Sequence, residues 1–146
     1  MARWLHQRDA AQLRQLLSTW AIDPSGADAC RVTWLQRATR MQWREGVEAL
    51  LEAGAAVSAQ DCLGWSALMH AAEVGWTEGV ELLCDAYAVT SALNVDGCST
   101  AMLACTPDHL DTLDLLVARR QDWPAQSLAQ LVRFAYAKPG TVRQWA

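Results

Sequence analysis

The sequence lacks the features of several protein classes. No apolar run approaches the roughly 20 residues that a membrane-spanning helix needs, so we expect no membrane association. The first residues lack the uninterrupted apolar segment of a secretory signal, which predicts a cytoplasmic protein. Five cysteines without a Cys-x-x-Cys spacing do not indicate a disulfide framework.

Lysine and arginine are absent from positions 45–96, which carry nine acidic residues. Residues 1–44 hold seven arginines and three acids, so the charge is unevenly distributed along a chain of net charge −4. A nucleic-acid partner calls for a continuous basic stripe, and the acidic middle therefore argues against one.

Catalytic motifs are missing as well. The chain has no nucleophile elbow, no phosphate-cradling glycine loop and no paired-carboxylate motif. Its histidines are scattered and lack a carboxylate at motif spacing: His6, His70 and His109. We therefore expect a protein that is not an enzyme and that needs no cofactor.

What the chain does contain is a period of 33 residues centred on Asp61–Asn94. Five sets of residues superimpose at this shift: Asp28, Asp61 and Asn94; Thr33, Ser66 and Ser99; Ala38, Ala71 and Ala104; Val47, Val80 and Leu113; Leu50, Leu83 and Leu116. Self-similarity at a fixed period of this size is typical of a solenoid, in which stacked units bury one continuous core.

The central unit resembles the ankyrin repeat. It keeps the turn residues Asp61 and Gly64, the two alanines of the first helix and the Leu-Leu pair that ends the second helix. It departs from the family pattern at four positions: Ala67, Met69, Trp76 and Tyr87. The resemblance implies an all-α fold, an ankyrin-repeat α-solenoid of helix-turn-helix units with short hairpin-like tips and terminal capping helices.

The resemblance covers about residues 5–123 and implies a single domain over residues 1–146. We expect a partial N-terminal capping unit, three repeats, and a C-terminal capping helix with a tail: residues 1–27; 28–60, 61–93 and 94–126; and 127–146. The polar terminal helices predict a complete solenoid, because end repeats must present a polar face to water.

The period also predicts the core. First helices should turn six residues inward: Leu35, Ala38, Leu68, Ala71, Ala101 and Ala104. Second helices should supply the bulk: Val47, Leu50, Val80, Leu82, Leu83, Leu113, Leu115 and Leu116. Gly64 and Gly97 suit turns with a positive φ, and the repeated hydroxyl residue can cap the helix that follows it.

The concave surface of such a stack consists of the turn tips and the ends of the first helices. Ten residues on it are candidates for binding a partner: Val32, Arg40, Met41, Leu63, Trp65, Glu73, Val74, Val95, Asp96 and Cys98. Many are apolar, and a contiguous exposed apolar patch usually marks an interface. Trp65 beside Arg40 has the composition of a binding hot spot. Alternatively, Trp65 and Leu63 fold onto the tips and staple the turns together.

Acidic residues recur at helical spacing on the second helices and predict an acidic ridge across three units. The ridge comprises Glu45, Glu48, Glu52, Glu78, Glu81, Asp85, Asp111 and Asp114. It would steer a basic partner, or it is an ordinary solvated helix face. No lysine or arginine interrupts it in sequence before Arg119.

A metal site is not expected at the tips. Cysteines occur on three successive tips, at Cys30, Cys62 and Cys98. Units stacked about 10 Å apart would hold these sulfurs too far from a single metal, because zinc needs its sulfur ligands at about 2.3 Å.

The sequence therefore predicts a non-catalytic module that binds another protein through its concave face, as an inhibitor, an immunity-type protein or an adaptor. Such a module should be a monomer when free. Two alternatives stay open: a scaffold protein that forms a homodimer, and a protein that binds a small molecule at the Trp65 surface.

Overall fold

The computed structural model describes residues 3–105 and 107–119, and these residues form helices and turns. The helices are α1 (Arg3–Gln7), α2 (Ala10–Ser18), α3 (Trp34–Arg40), α4 (Arg44–Glu52), α5 (Ala67–Val74), α6 (Thr77–Asp85), α7 (Thr100–Ala104) and α8 (Leu110–Ala118). A 3-10 turn at Pro107–His109 leads into α8. The predicted capping helix within 127–146 and the end of the third unit lie outside the described residues.

The helices form two layers, as stacked helix-turn-helix units require. Helices α3, α5 and α7 pack side by side in one layer, and α2, α4, α6 and α8 form the other. All six residues that the period turns inward from the first helices are buried, with exposures of 1% or less. The alanines among them let neighbouring helices approach closely. The predicted all-α solenoid is confirmed, and no described helix is long and apolar enough to span a bilayer.

The first helices begin where the sequence predicts, because each has a hydroxyl N-cap. Thr33, Ser66 and Ser99 each accept a hydrogen bond from the backbone N–H three residues later, at 3.2, 3.3 and 3.4 Å. Such a bond satisfies one of the N–H groups that the first helical turn leaves without a partner. The cap fixes the direction in which the chain enters the helix, and it therefore fixes the tip before it.

The repeated acid or amide builds each tip. The side-chain oxygen of Asp61 accepts hydrogen bonds from the N–H groups of Leu63 and Trp65, at 2.9 and 3.0 Å. Asp28 and Asn94 make the matching pairs of bonds in the tips before and after it. These bonds replace the partners that a tight turn cannot provide from its own backbone. The tips are hairpin-like as predicted, with isolated bridges Ala27–Thr33 and Leu93–Ser99.

Two tryptophans fill space at the start of the second helices. Trp43 and Trp76 lie over Gly46 and Gly79, where an added Cβ would come within 2.2 and 2.0 Å of the indole. Glycine at these positions is therefore a packing requirement. Trp4 of α1 closes the N-terminal end of the stack, because it packs against Trp43 with ring centroids 6.3 Å apart.

Candidate functional site

The tips meet edge to edge and form one continuous surface. The N–H of Cys62 donates to the carbonyl oxygen of Cys30 at 3.0 Å, and the N–H of Val95 donates to that of Leu63 at 3.0 Å. The two bonds are the same contact repeated one unit later. The separation of about 10 Å expected from the sequence applies to equivalent positions in adjacent units. It is wrong for these tip residues, which occupy different positions in their units and are in contact.

The exposed apolar part of the concave surface is smaller than the sequence predicts. Leu63 and Val95 are 59% and 66% exposed, and Val74 at the end of α5 is 37% exposed. Val32, Met41 and Trp65 are half-buried. Met41 packs against the core, and its carbonyl oxygen accepts a hydrogen bond from the Arg8 guanidinium at 2.8 Å. The apolar patch that remains accessible is centred on the tips.

Trp65 is half-buried because its ring stacks on His70 of α5. The ring centroids are 5.0 Å apart and the planes are inclined by 25°. Burial lowers the pKa of His70, and the nearby charge of Arg40 lowers it further, while Asp61 acts in the opposite direction. Nε2 of His70 lies 3.7 Å from the Asp61 carboxylate, which is too long for a hydrogen bond. Burial and Arg40 therefore favour the neutral form of His70.

Arg40, Glu73 and Asp96 are exposed, and Glu73 and Asp96 directly adjoin Val74 and Val95 in the sequence. Arg40 ends α3, and Glu73 lies in the last turn of α5. Cys98 is half-buried, and its backbone N–H donates to the Asn94 side chain at 2.9 Å. The arrangement can present an apolar centre with charges of both signs at its border, as protein interfaces do.

Arginines from outside the sequence span of the acidic ridge lie close to four of its acids in space. Arg44 pairs with Glu48 at 2.9 Å and with Glu78 at 3.6 Å. Arg14 of α2 lies 3.8 Å from Glu52, and Arg119 pairs with Asp85. The other four ridge acids make no ion pair within the described residues. The ridge therefore carries less unpaired charge than its sequence suggests, which weakens the case for electrostatic steering.

The sequence analysis does not predict that two aromatic residues are exposed. Trp20 and Tyr87 are 81% and 88% exposed and have φ of 55° and 63°. Both follow the end of a second helix, where the first full unit has Gly54 at φ 85°. One of them could have been found from the sequence, because Tyr87 stands where the ankyrin pattern has a glycine. A groove of about 460 Å³ adjoins Trp20, and it is lined by Arg14, Leu17, Ser18, Trp20, Pro24, Ala49, Glu52 and Ala53.

The described residues contain no group of three or more histidine, cysteine, aspartate or glutamate side chains arranged to hold a metal ion. A comparison with family models matches residues 35–127 to a model described as ankyrin repeats in three copies. No curated protein matches the chain. Ankyrin repeats indicate a protein–protein interaction module and are in general non-catalytic. Since the match covers more than half of the sequence and agrees with the helix pairs, the chain belongs to the ankyrin-repeat family.

Proposed function

We propose that this module binds a partner protein through the tips and first-helix ends of its concave face, and that it acts in the cytoplasm by occluding that partner as an inhibitor, an immunity-type protein or an adaptor. The observation that carries the proposal is the pair Leu63 and Val95. Both are more than half exposed, and one backbone hydrogen bond holds them side by side. Rigid apolar side chains on adjacent tips lose little conformational entropy on binding.

The partner surface should be apolar at its centre and basic at its border. Glu73 and Asp96 lie beside the apolar residues and are exposed, so they can accept hydrogen bonds from arginine or lysine. Arg40 can supply a forked donor to a carboxylate or a carbonyl group of the partner. We place Val32, Trp65 and Cys98 at the edge of this surface, because each is half-buried.

Affinity capture from the native cell tests the proposal. The protein is used as bait, and co-purifying proteins are identified by mass spectrometry. We expect a stoichiometric partner that the double variant Leu63→Ser with Val95→Ser binds at least about tenfold more weakly. Val89→Ser is the matched control, because Val89 is 46% exposed and lies outside the surface. A partner that both variants bind equally well, or the absence of any stoichiometric partner, would overturn the proposal.

Oligomeric state separates this function from the scaffold alternative. The partner proposal expects a monomer when the protein is pure, and a homodimer would bury the same tips against a second copy. Size-exclusion chromatography with light scattering measures the mass directly. A dimer that the Leu63→Ser and Val95→Ser double variant dissociates would favour the scaffold. A small-molecule ligand would instead change the Trp65 fluorescence in a metabolite panel.

A further inference from the structure

The first two tips place two cysteines with exposed side chains next to each other. Cys30 lies in the turn of the first tip, Cys62 lies in the turn of the second, and neither is in a disulfide. The hydrogen bond from the Cys62 N–H to the Cys30 carbonyl oxygen is 3.0 Å long. Standard backbone dimensions then keep the two Cα atoms within about 7 Å of each other. Disulfides join Cα atoms that are about 4.4–6.8 Å apart.

A second bond crosses the same junction and restrains it. The Arg31 guanidinium donates to the carbonyl oxygen of Asp61 at 3.4 Å, so residues on both sides of the cysteine pair are connected. The side chains of Asp28 and Asp61 also fix the backbone of both turns. The two cysteines therefore lie at a junction whose backbone is already restrained by hydrogen bonds before any covalent bond forms.

We propose that Cys30 and Cys62 are a site of reversible oxidation at which a disulfide joins the first two tips. Hydrogen peroxide is the oxidant. One thiolate attacks the peroxide, the O–O bond breaks, and the sulfur becomes a sulfenic acid; the hydroxide that leaves takes up the proton released when the thiol ionised and forms water. The second thiolate attacks that sulfur and displaces hydroxide, which takes up a proton to form a second water. A dithiol reductant reverses the reaction by thiol–disulfide exchange.

The next junction provides an internal comparison. Leu63 and Val95 occupy the places of Cys30 and Cys62 one period later, and their backbone bond has the same length of 3.0 Å. The same backbone therefore carries two thiols at one junction and two apolar side chains at the next. The disulfide depends on this tip geometry and not on the proposed partner, so its failure would leave the binding proposal untouched.

Peptide mapping of the oxidised protein tests the site. The folded, full-length protein is treated with hydrogen peroxide, blocked with an alkylating agent and cleaved without reduction after arginine and glutamate. Cys30 then lies in segment 15–31 and Cys62 in segment 53–73, and neither segment contains another cysteine. We expect the two segments to be joined within one chain, with the loss of two hydrogens, and to separate on reduction.

Single variants give the controls. Cys30→Ser and Cys62→Ser should each abolish the crosslink, and Cys98→Ser should keep it. In a Cys30→Ser and Cys62→Ser background, Leu63→Cys with Val95→Cys should form the equivalent crosslink at the second junction. Oxidation should also raise the Tm of the native chain by about 5 °C or more, because the bond closes a long loop.

Three results would overturn the proposal. Peroxide could convert Cys30 and Cys62 to sulfinic acids without joining them. It could join them only between chains. The crosslink could also form in denaturant as readily as in the folded protein, which would show that the tips do not direct it.

Discussion

The first full unit, residues 28–60, and the central unit, residues 61–93, share the same tip and cap contacts but are linked to their neighbours in different ways. Both have an aspartate-centred tip, a hydroxyl cap and a fully buried alanine at matched positions. They differ at many of the positions that the 33-residue shift superimposes, and three of these pairs are Gln36 and Met69, Arg37 and His70, and Gln42 and Gly75. The scaffold of a unit is thus specified by a few residues, and its links to the next unit are free to vary.

The largest expected effect is at Gly75, which follows α5 with φ of 72°. An added Cβ would lie 2.3 Å from the ring of His109, and the left-handed backbone disfavours any side chain. We expect Gly75→Ala to cost about 3 kcal/mol of unfolding free energy. Gln42, at the matched position, has φ of 52° and an exposed side chain, so the first unit lacks this contact. Urea unfolding monitored by circular dichroism measures the loss.

Gly54→Ala is the control for that variant. Gly54 also has a positive φ, 85°, but nothing lies within 4 Å of an added Cβ. It should cost only about 1 kcal/mol, from the backbone conformation alone. Equal losses in the two variants would show that the His109 contact contributes nothing.

The second effect is at Gln36, which links the first unit to the central one. Its amide donates to the carbonyl oxygens of Ala59 and Trp65 at 3.0 and 2.9 Å, and the side chain is fully buried. Gln36→Met copies the central unit and leaves two carbonyl groups without these donors, so we expect a loss of about 2 kcal/mol. Thermal and urea unfolding measure it.

Met69→Leu is the matched conservative change in the central unit. Met69 is buried and carries no donor, so the substitution should cost about 1 kcal/mol or less. If Gln36→Met proved as mild as Met69→Leu, the polar link would not distinguish the two units.

The smallest effect is a pH dependence at His70. In the first unit, Arg37 pairs with Asp28. The backbone N–H of Val32 lowers the pKa of Asp28, burial raises it, and the pairing with Arg37 lowers it. In the central unit, burial and the charge of Arg40 lower the pKa of His70. The imidazole of His70 therefore binds a proton more readily in the unfolded chain than in the folded one. Its contribution to the unfolding free energy is complete above its ordinary pKa of about 6.5 and declines as the pH falls below that value.

We expect the unfolding free energy of the native protein to fall more steeply than that of His70→Gln between about pH 7 and about pH 5. His6 and His109 are present in both proteins, so the difference between the two curves isolates His70. Parallel curves would show that the protonation of His70 does not oppose folding.

The sequence predicted the fold from repetition and local chemistry. Thr33, Ser66 and Ser99 cap the helices they precede, and Gly64 and Gly97 adopt φ of 76° and 75° as expected. These outcomes depend on residues within four positions of each other in the chain.

The contacts of the candidate site were harder to predict from the sequence. Met41 was expected at the exposed surface, but it packs against the core. Trp65 was expected beside Arg40, and its stack on His70 was not predicted. The acidic ridge was predicted from spacing along the chain, whereas Arg14, which lies near Glu52, comes from an earlier helix. Each of these contacts joins residues that no spacing rule connects.

By itself, the sequence determined that helical pairs repeat every 33 residues, which helix faces are apolar, and where each helix begins, since hydrogen-bond caps, glycine turns and side-chain periodicity operate over a few neighbouring residues. Only the tertiary structure decided how far each tip is offset against the next, which side chains the stack covers, and which acids find a basic partner. Those features depend on the packing of whole units, and the same offset that exposes Leu63 beside Val95 is what brings Cys30 next to Cys62.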